Sequence, residues 1–327
     1  MTSDSRPDSA LHLPARDIPV PTSLSPQAQA IIAMEPAMRT TYPPVDDVDG
    51  WRAMAAERNA MIAAIVGARA SEVPANVDEI HVDGVRVYVI TPHDFPGDDP
   101  RVFLDIHGGA FVLGGGESCR IMGLRAVGLS RVRTWAVDYR MPPDHPYPAP
   151  LDDCLTAYRA LLKDHRPHDV IVAGGSAGGN LAAALILRAR DENLPLPAAV
   201  VLSTPEADLT ESGDSFQTNL GLDNVLTESL MPANLLYAGG HDLSHPYLSP
   251  LFGDFTSGFP PTILTTGTRD LFLSNTVRMH RALRAAGVPA ELHIVEAAGH
   301  AGFFGQAPED EDLENEVRRF IDAHWAR

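Results

Sequence analysis

Short apolar segments recur along the chain from residue 79 onward, and segments with helical spacing separate most of them. A hairpin pattern comes first, because EIHVDGVRVYVITP at 79–92 alternates apolar and polar residues around an Asp-Gly pair. The later apolar segments have the length and β-branched content of buried strands. They occupy residues 101–107, 133–139, 169–175, 198–204, 261–267 and 290–296. This alternation predicts an α/β fold with a mostly parallel, doubly wound sheet.

Two regions depart from the alternation and are expected to lie outside the sheet. Residues 1–75 begin with an arm rich in Pro, Ser and Asp over 1–28 and continue with helical spacing to about residue 70. Residues 206–258 separate two predicted strands by far more than the few residues usual in such folds. We therefore predict an N-terminal arm with cap helices at 1–75 and a catalytic domain at 76–327. A cap insertion is predicted within that domain at about 206–258.

The net charge and the cysteine content limit the kinds of molecule that the protein is expected to bind. The formal net charge of −18 disfavours nucleic acid and anionic membranes, since both are bound by clustered Lys and Arg. Cys119 and Cys154 are too few for a disulfide framework and lack the spacing of a zinc site, which predicts two reduced thiols and no metal. No leader pattern and no apolar stretch of spanning length occur. We expect a cytoplasmic protein that acts on a small molecule.

The segment GGSAGG at 174–179 lies between a predicted strand and the helix-forming run NLAAALILRAR. A serine on such a strand-to-helix turn exposes its hydroxyl, and the small neighbours permit the tight backbone. The turn could instead be conformational or could hold a phosphate, but no Lys-Ser or Lys-Thr pair follows the glycines, which rules out a P-loop. Ser176 is therefore the candidate nucleophile.

The segment HGGAF at 107–111 directly follows another predicted strand. Consecutive glycines let backbone amides point toward one place, as is needed where a carbonyl oxygen becomes an oxyanion. We assign this role to Gly108 and Gly109, with the amide of Ala177 completing the set. Whether the amide of Ala110 also serves is left open, as is a purely conformational role for the loop.

A serine nucleophile needs a base, and the base needs a carboxylate that fixes its tautomer. Active sites of open α/β sheets collect at the carboxyl ends of the strands. Asp270 and His300 each follow a predicted late strand, in the chain order Ser, Asp, His that the turn around Ser176 leads us to expect. Of the other histidines, His293 falls in a predicted strand, His280 and His324 fall in helical stretches, and His107 belongs to the HGGAF loop. Glu296 is the nearest rival for the acid because it ends a strand, but it lies only four residues before His300.

Taken together, the motifs HGGAF, VDYRMPPDHPYPAPLDD, GGSAGG and HPYLSPLFGDF with the late Asp and His resemble the hormone-sensitive lipase family of esterases, over most of residues 80–327. The resemblance implies an α/β-hydrolase fold, an eight-stranded sheet flanked by helices, with a helical cap. It also implies hydrolysis of short- to medium-chain carboxylic esters without a cofactor. Two positions depart from the family pattern: Ala110 replaces a third glycine, and Gly175 replaces an aspartate.

The substrate is the least readable property of the sequence. The segment GTRDLFLSNT resembles members described as lactone hydrolases, which makes a lactone the alternative substrate. An amidase or acyltransferase could use the same residues, whereas a receptor without activity is disfavoured because the histidine is retained. Homodimerisation is left open. As lining residues of the substrate pocket we name Met34, Tyr42, Phe216, Leu220 and Leu222, for each of which an apolar core role is equally compatible.

Overall fold

The computed structural model describes residues 11, 14–34, 41–70 and 73–325, with only the backbone of 65, 66 and 68–70. Within them, eight strands form one sheet in the order β1-β2-β4-β3-β5-β6-β7-β8. The strands are β1 Ala75–Val82, β2 Val85–Pro92, β3 Val102–Ile106, β4 Arg133–Asp138, β5 Val170–Gly175, β6 Ala199–Ser203, β7 Thr262–Gly267 and β8 Ala290–Val295. The expected eight-stranded α/β-hydrolase architecture is confirmed.

The directions of the strands determine where on the sheet a binding crevice can form. β1 and β2 form the predicted hairpin, with Asp83 and Gly84 both at positive φ in its turn. β2 is also antiparallel to β4, and the remaining neighbours pair in parallel. Because the chain passes from β3 to β4 on one side and returns to β5 on the other, the order reverses at β3. The loops that leave β3 and β5 therefore diverge at the carboxyl edge, where such sheets form a binding crevice.

Helices cover both faces of the sheet. The helices of the described residues are α1 Pro26–Ile32, α2 Val48–Ala70, α3 Glu117–Ser130, α4 Ala149–Asp164, α5 Ala177–Asp191, α6 Ser215–Thr218, α7 Met231–Ala238, α8 Leu273–Ala285 and α9 Pro308–His324. Alternate residues of β3 face opposite ways: Leu104 packs in the cluster that includes α4 and α5, and Phe103 packs against α9. None of the described helices is long and apolar enough to cross a membrane.

The N-terminal region and the insertion meet above the loop that follows β3. Trp51 of α2 is fully buried against Val112, which lies in that loop, and against Ala233 and Leu236 of α7. The indole nitrogen donates to the carbonyl of Pro44 at 2.9 Å. The short helices α6 and α7 lie within residues 206–258, and α1 and α2 lie within residues 1–75, the two segments for which a cap is predicted. The predicted arm at 1–28 falls partly outside the described residues.

Candidate active site

Ser176 lies at the turn between β5 and α5 with φ 57° and ψ −124°, a conformation that non-glycine residues rarely adopt. Backbone hydrogen bonds hold it there: its amide donates to the carbonyl of Ser203 at 2.9 Å, and its carbonyl accepts from Asn180 and Glu206. A side chain at Gly178 would overlap the carbonyl of Ile106 in β3. The small residues thus let β5, its turn and β3 come together, and the serine side chain is only half-buried.

The HGGAF loop packs directly against this turn. A Cβ atom on Gly108 would lie 3.1 Å from Cβ of Ser176 and 2.8 Å from the carbonyl oxygen of Gly175. The loop continues through positive φ at Gly109, Ala110 and Phe111. It is braced by Tyr139, whose hydroxyl donates to the carbonyl of His107 at 2.9 Å. Ala110, which stands where the family pattern has a third glycine, lies in the left-handed region with φ 51°, an arrangement that is strained for a residue with a side chain.

Backbone amides in these two segments remain available as donors. Within residues 73–325, no protein acceptor is hydrogen-bonded to the amide of Gly108, Gly109, Ala110 or Ala177. Ala177 is the first residue of α5, where the helix dipole favours negative charge. Such amides can stabilise an oxyanion that develops beside Ser176.

Asp270 and His300 follow β7 and β8, and the structure brings them together with His300 Nδ1 3.1 Å from Asp270 Oδ1. Asp270 is fully buried and anchored by two further donors, the amide of Phe272 at 2.8 Å and the hydroxyl of Thr266 at 2.7 Å. The rival Glu296 is exposed and instead accepts from the hydroxyl of Ser23 at 3.2 Å. Since Asp270 accepts at Nδ1, the imidazole Nε2 is free to act as the base.

The electrostatics of His300 favour its charged form. Burial alone would lower its pKa, but the charge and hydrogen bond of Asp270 and the charge of Asp223 raise that pKa above the ordinary value. The ring of Phe272 packs edge-on against the imidazole with centroids 4.8 Å apart. This surrounding stabilises the imidazolium that forms when a proton is taken from the serine.

Two buried carboxylates near the site were missed by the sequence reasoning, Glu206 and Asp223. Both are fully buried and both come from the region after β6 that shows no clear periodicity. The amide of Glu206 donates to the carbonyl of Ser176 at 3.1 Å, and Asp223 contacts the His300 loop. No local motif marks either residue, because the contacts that bring them to the site are made with residues far away in sequence.

The buried carboxylate of Glu206 is expected to make the fold less stable at high pH. Neither carboxylate oxygen has a hydrogen-bond partner among the described residues, and burial raises its pKa well above the ordinary value despite the nearby Asn234 amide. A raised carboxyl pKa costs stability as pH rises above the unfolded value. Glu206→Gln should therefore stabilise the fold by about 1–3 kcal/mol near pH 8 and by little near about pH 5. Thermal unfolding measured across pH checks this.

The matched control for that measurement is Glu211→Gln. Glu211 is partly buried, and unlike the Glu206 carboxylate its oxygens accept hydrogen bonds, from the hydroxyl of Ser229 at 2.6 Å and the amide of Leu230 at 2.7 Å. Burial raises the pKa of Glu211 as well, so Glu211→Gln shares the pH trend, but at each pH it should give a lower melting temperature than Glu206→Gln because it removes satisfied hydrogen bonds. A lower melting temperature for Glu206→Gln at every pH would show that the Glu206 carboxylate has a stabilising partner.

Among the residues that the structure describes, one group of side chains could be considered for a metal. Potential ligand atoms of His107, Cys119 and Asp138 lie within 4.8 Å of one another. The Asp138 carboxylate, however, already accepts from Arg86 and from the amide of Gly116, and burial raises the pKa of the Cys119 thiol. Both cysteines are free and buried. We interpret the group as structural.

The five residues named for the substrate pocket occupy different places. Phe216 is buried against Phe272 with ring centroids 5.7 Å apart, next to the residue that packs on His300. Tyr42 stacks on Trp51 at 5.6 Å. Met34 and Leu220 are largely exposed, and Leu222 borders a small cavity beside the His300 loop.

With this geometry established, comparison with known proteins assigns the family. Residues 103–304 match the model of a protein family described as having the alpha/beta hydrolase fold. The chain belongs to this family. The expected place within the hormone-sensitive lipase family is confirmed as well. A solved esterase of the bacterial hormone-sensitive lipase family superposes with a TM-score of 0.79 at 28% identity, covering 92% of this chain and 99% of that one.

Two further relatives agree with the predicted enzyme class. The crystal structure of esterase E25 has a TM-score of 0.89 and 36% identity, covering 97% of this chain and 99% of that chain. An acetyl-hydrolase of Streptomyces hygroscopicus is 36% identical over 193 residues, which span 58% of this chain. That alignment covers 64% of the acetyl-hydrolase, less than two thirds of its length.

Proposed function

We propose that this protein hydrolyses carboxylic esters through an acyl-enzyme on Ser176, with His300 as base and Asp270 as the acid that orients it. One observation carries the proposal: a strained serine, open backbone amides and a hydrogen-bonded His-Asp pair all follow strands at the same edge of the sheet. Each feature alone has a structural interpretation. Their combination matches the requirements of acyl transfer.

The chemistry follows from the donors and acceptors present. His300 Nε2 removes the hydroxyl proton as Ser176 Oγ attacks the ester carbonyl, while Nδ1–H donates to Asp270. The amides of Gly108, Gly109 and Ala177 hold the oxyanion. Collapse of the tetrahedral intermediate breaks the ester C–O bond, and the imidazolium protonates the leaving alcohol. Water, activated by the same His300, then releases the acid and restores the serine.

Short to medium acyl chains are the proposed substrates, and residues 1–75 and 206–258 are the proposed cap that limits them. Ala110 contributes a methyl group to the loop beside Ser176. Its side chain packs against two groups of buried apolar residues, one that contains Trp51 and one that contains Phe272. Apolar side chains from α2, α6 and α7 thus converge on the oxyanion loop. This arrangement favours a small apolar acyl site over an open groove.

The test is the specificity constant for p-nitrophenyl esters of increasing acyl length, from acetate to dodecanoate, with a simple lactone measured alongside. We expect kcat/KM to peak at short chains and to fall for the longest, because the apolar walls accept only limited volume. A lactone kcat/KM above that of every linear ester would favour lactone hydrolysis instead. A folded protein that turns over none of these substrates would contradict ester hydrolysis.

A further inference from the structure

Asp223 lies in the insertion between α6 and α7 and joins two loops of the site through a single oxygen. Its Oδ2 atom accepts from the amide of Leu271, the residue after Asp270, at 3.0 Å. The same atom accepts from the backbone amide of His300 at 3.1 Å. Asp223 is fully buried. One carboxylate oxygen therefore fixes the distance between the segment that carries the acid and the segment that carries the base.

The other oxygen fixes Asp223 to its own segment. Oδ1 accepts from the amides of Val225 at 2.8 Å and Leu226 at 3.0 Å. Four backbone donors thus surround the carboxylate, a number that an Asn side chain in its place cannot satisfy. The orientation of the carboxylate is consequently determined by both the insertion and the catalytic loops.

Independent packing supports the same contact. A Cβ atom on Gly299 would lie 2.8 Å from Oδ1 of Asn224 and 3.2 Å from Oδ1 of Asp223. Asn219, from the same segment, donates through Nδ2 to the carbonyls of Thr268 at 3.1 Å and Asp270 at 2.8 Å. The segment 219–224 therefore touches both loops closely, and the absence of a side chain at Gly299 permits the approach.

Few charged groups surround this contact. Asp270 faces His300 from the loop after β7 and Asp223 faces it from the insertion, while Arg269 lines a small cavity together with Asn224 and Gly299. Burial raises the pKa of Asp223 and the charge of Asp270 adds to this effect, whereas His300 and the backbone donors oppose it. The charge of Asp223 in turn contributes to the raised pKa of His300.

We propose that Asp223 is a positioning residue that holds the Asp270 and His300 loops in register and stabilises the charged imidazole. This proposal rests on the proposed ester hydrolysis, in which His300 cycles between neutral and charged forms. Because Asp223 belongs to the insertion and not to the sheet, displacement of the insertion would misalign the base. The insertion would thereby control catalysis as well as substrate access.

The experiment compares Asp223→Asn with wild type in the pH profile of kcat/KM and in the NMR titration of the His300 ring. We expect kcat to fall about tenfold with KM within about twofold, since alignment is lost and binding is not. The charge of Asp223 raises the His300 pKa, so its removal should lower that pKa by about half a pH unit or more. The acid limb of the kcat/KM profile should move to lower pH by the same amount. The ring titration reports this shift even without turnover.

Asp208→Asn is the matched control, because Asp208 is a fully buried carboxylate of the same insertion that binds Thr210, Ser212 and Arg278. It should lower the melting temperature and leave the His300 titration unchanged. Wild-type kcat and an unshifted titration in Asp223→Asn would overturn the proposal, and so would equal shifts in both variants. The proposed function is tested separately, by the unmodified protein: if wild type does not turn over esters, ester hydrolysis is contradicted whatever the variants do.

Should Asp223→Asn fail to fold, Gly299→Ala decides the question. This variant pushes on Asn224 and Asp223 without removing a charge. We expect a severalfold lower kcat with an unshifted acid limb. An unchanged kcat would show that the spacing between insertion and base loop does not matter, and would overturn the proposal.

Discussion

Ser176→Ala should lower kcat for ester hydrolysis by about a million-fold, because a triad acts as a unit and its nucleophile is then missing. The fold should tolerate the change. The contacts that hold residue 176 at φ 57° are backbone hydrogen bonds to Ser203, Asn180 and Glu206, which Ala retains. Steady-state kinetics on a short p-nitrophenyl ester, with labelling by a fluorophosphonate, measure the effect.

Ser130→Ala provides the control for that variant. Ser130 is a buried serine at the end of α3 whose hydroxyl contacts Thr134 at 3.2 Å, away from the catalytic loops. We expect a small loss of stability, normal labelling and normal kcat. Residual turnover of Ser176→Ala above about 1% of wild type, at equal stability, would mean that another group attacks the ester.

The parts of the fold that could be predicted from sequence are those governed by local patterns. Strand β5 and the turn after it were predictable because an apolar run meets a cluster of small residues within ten positions of Ser176. The Asp83-Gly84 turn was predictable for the same reason, since both residues tolerate positive φ. Such signals specify backbone geometry through the residues that adopt it.

The insertion could not be predicted at the same level, because its contacts are distant in sequence. Asp223 binds the amide of a residue 77 positions away, and Glu206 is buried with no partner that a motif could reveal. Neither residue lies in a periodic segment. The pairing of Asp270 with His300 was easier, because both follow strands whose order in the sheet brings their ends together.

Asp270→Ala should lower kcat on the order of 10⁴-fold, through loss of both the orientation and the charge that assist His300. Asp270→Asn separates the two contributions. Oδ1 accepts from both the Phe272 amide and His300 Nδ1–H, so the Asn oxygen should take that position while the Thr266 hydroxyl rotates to accept from the Asn amide. The tautomer is then preserved and only the charge is lost.

We therefore expect Asp270→Asn to retain about ten times more activity than Asp270→Ala, and to show a lower His300 pKa than wild type. The sign follows from the charge and hydrogen bond of Asp270, which raise that pKa against burial. The acid limb of kcat/KM, measured between about pH 5 and 9, should shift to lower pH in Asp270→Asn. Glu296→Gln is the control, because Glu296 is exposed and contacts Ser23. Near-normal activity in Asp270→Ala together with a large loss in Glu296→Gln would transfer the role of the acid to Glu296.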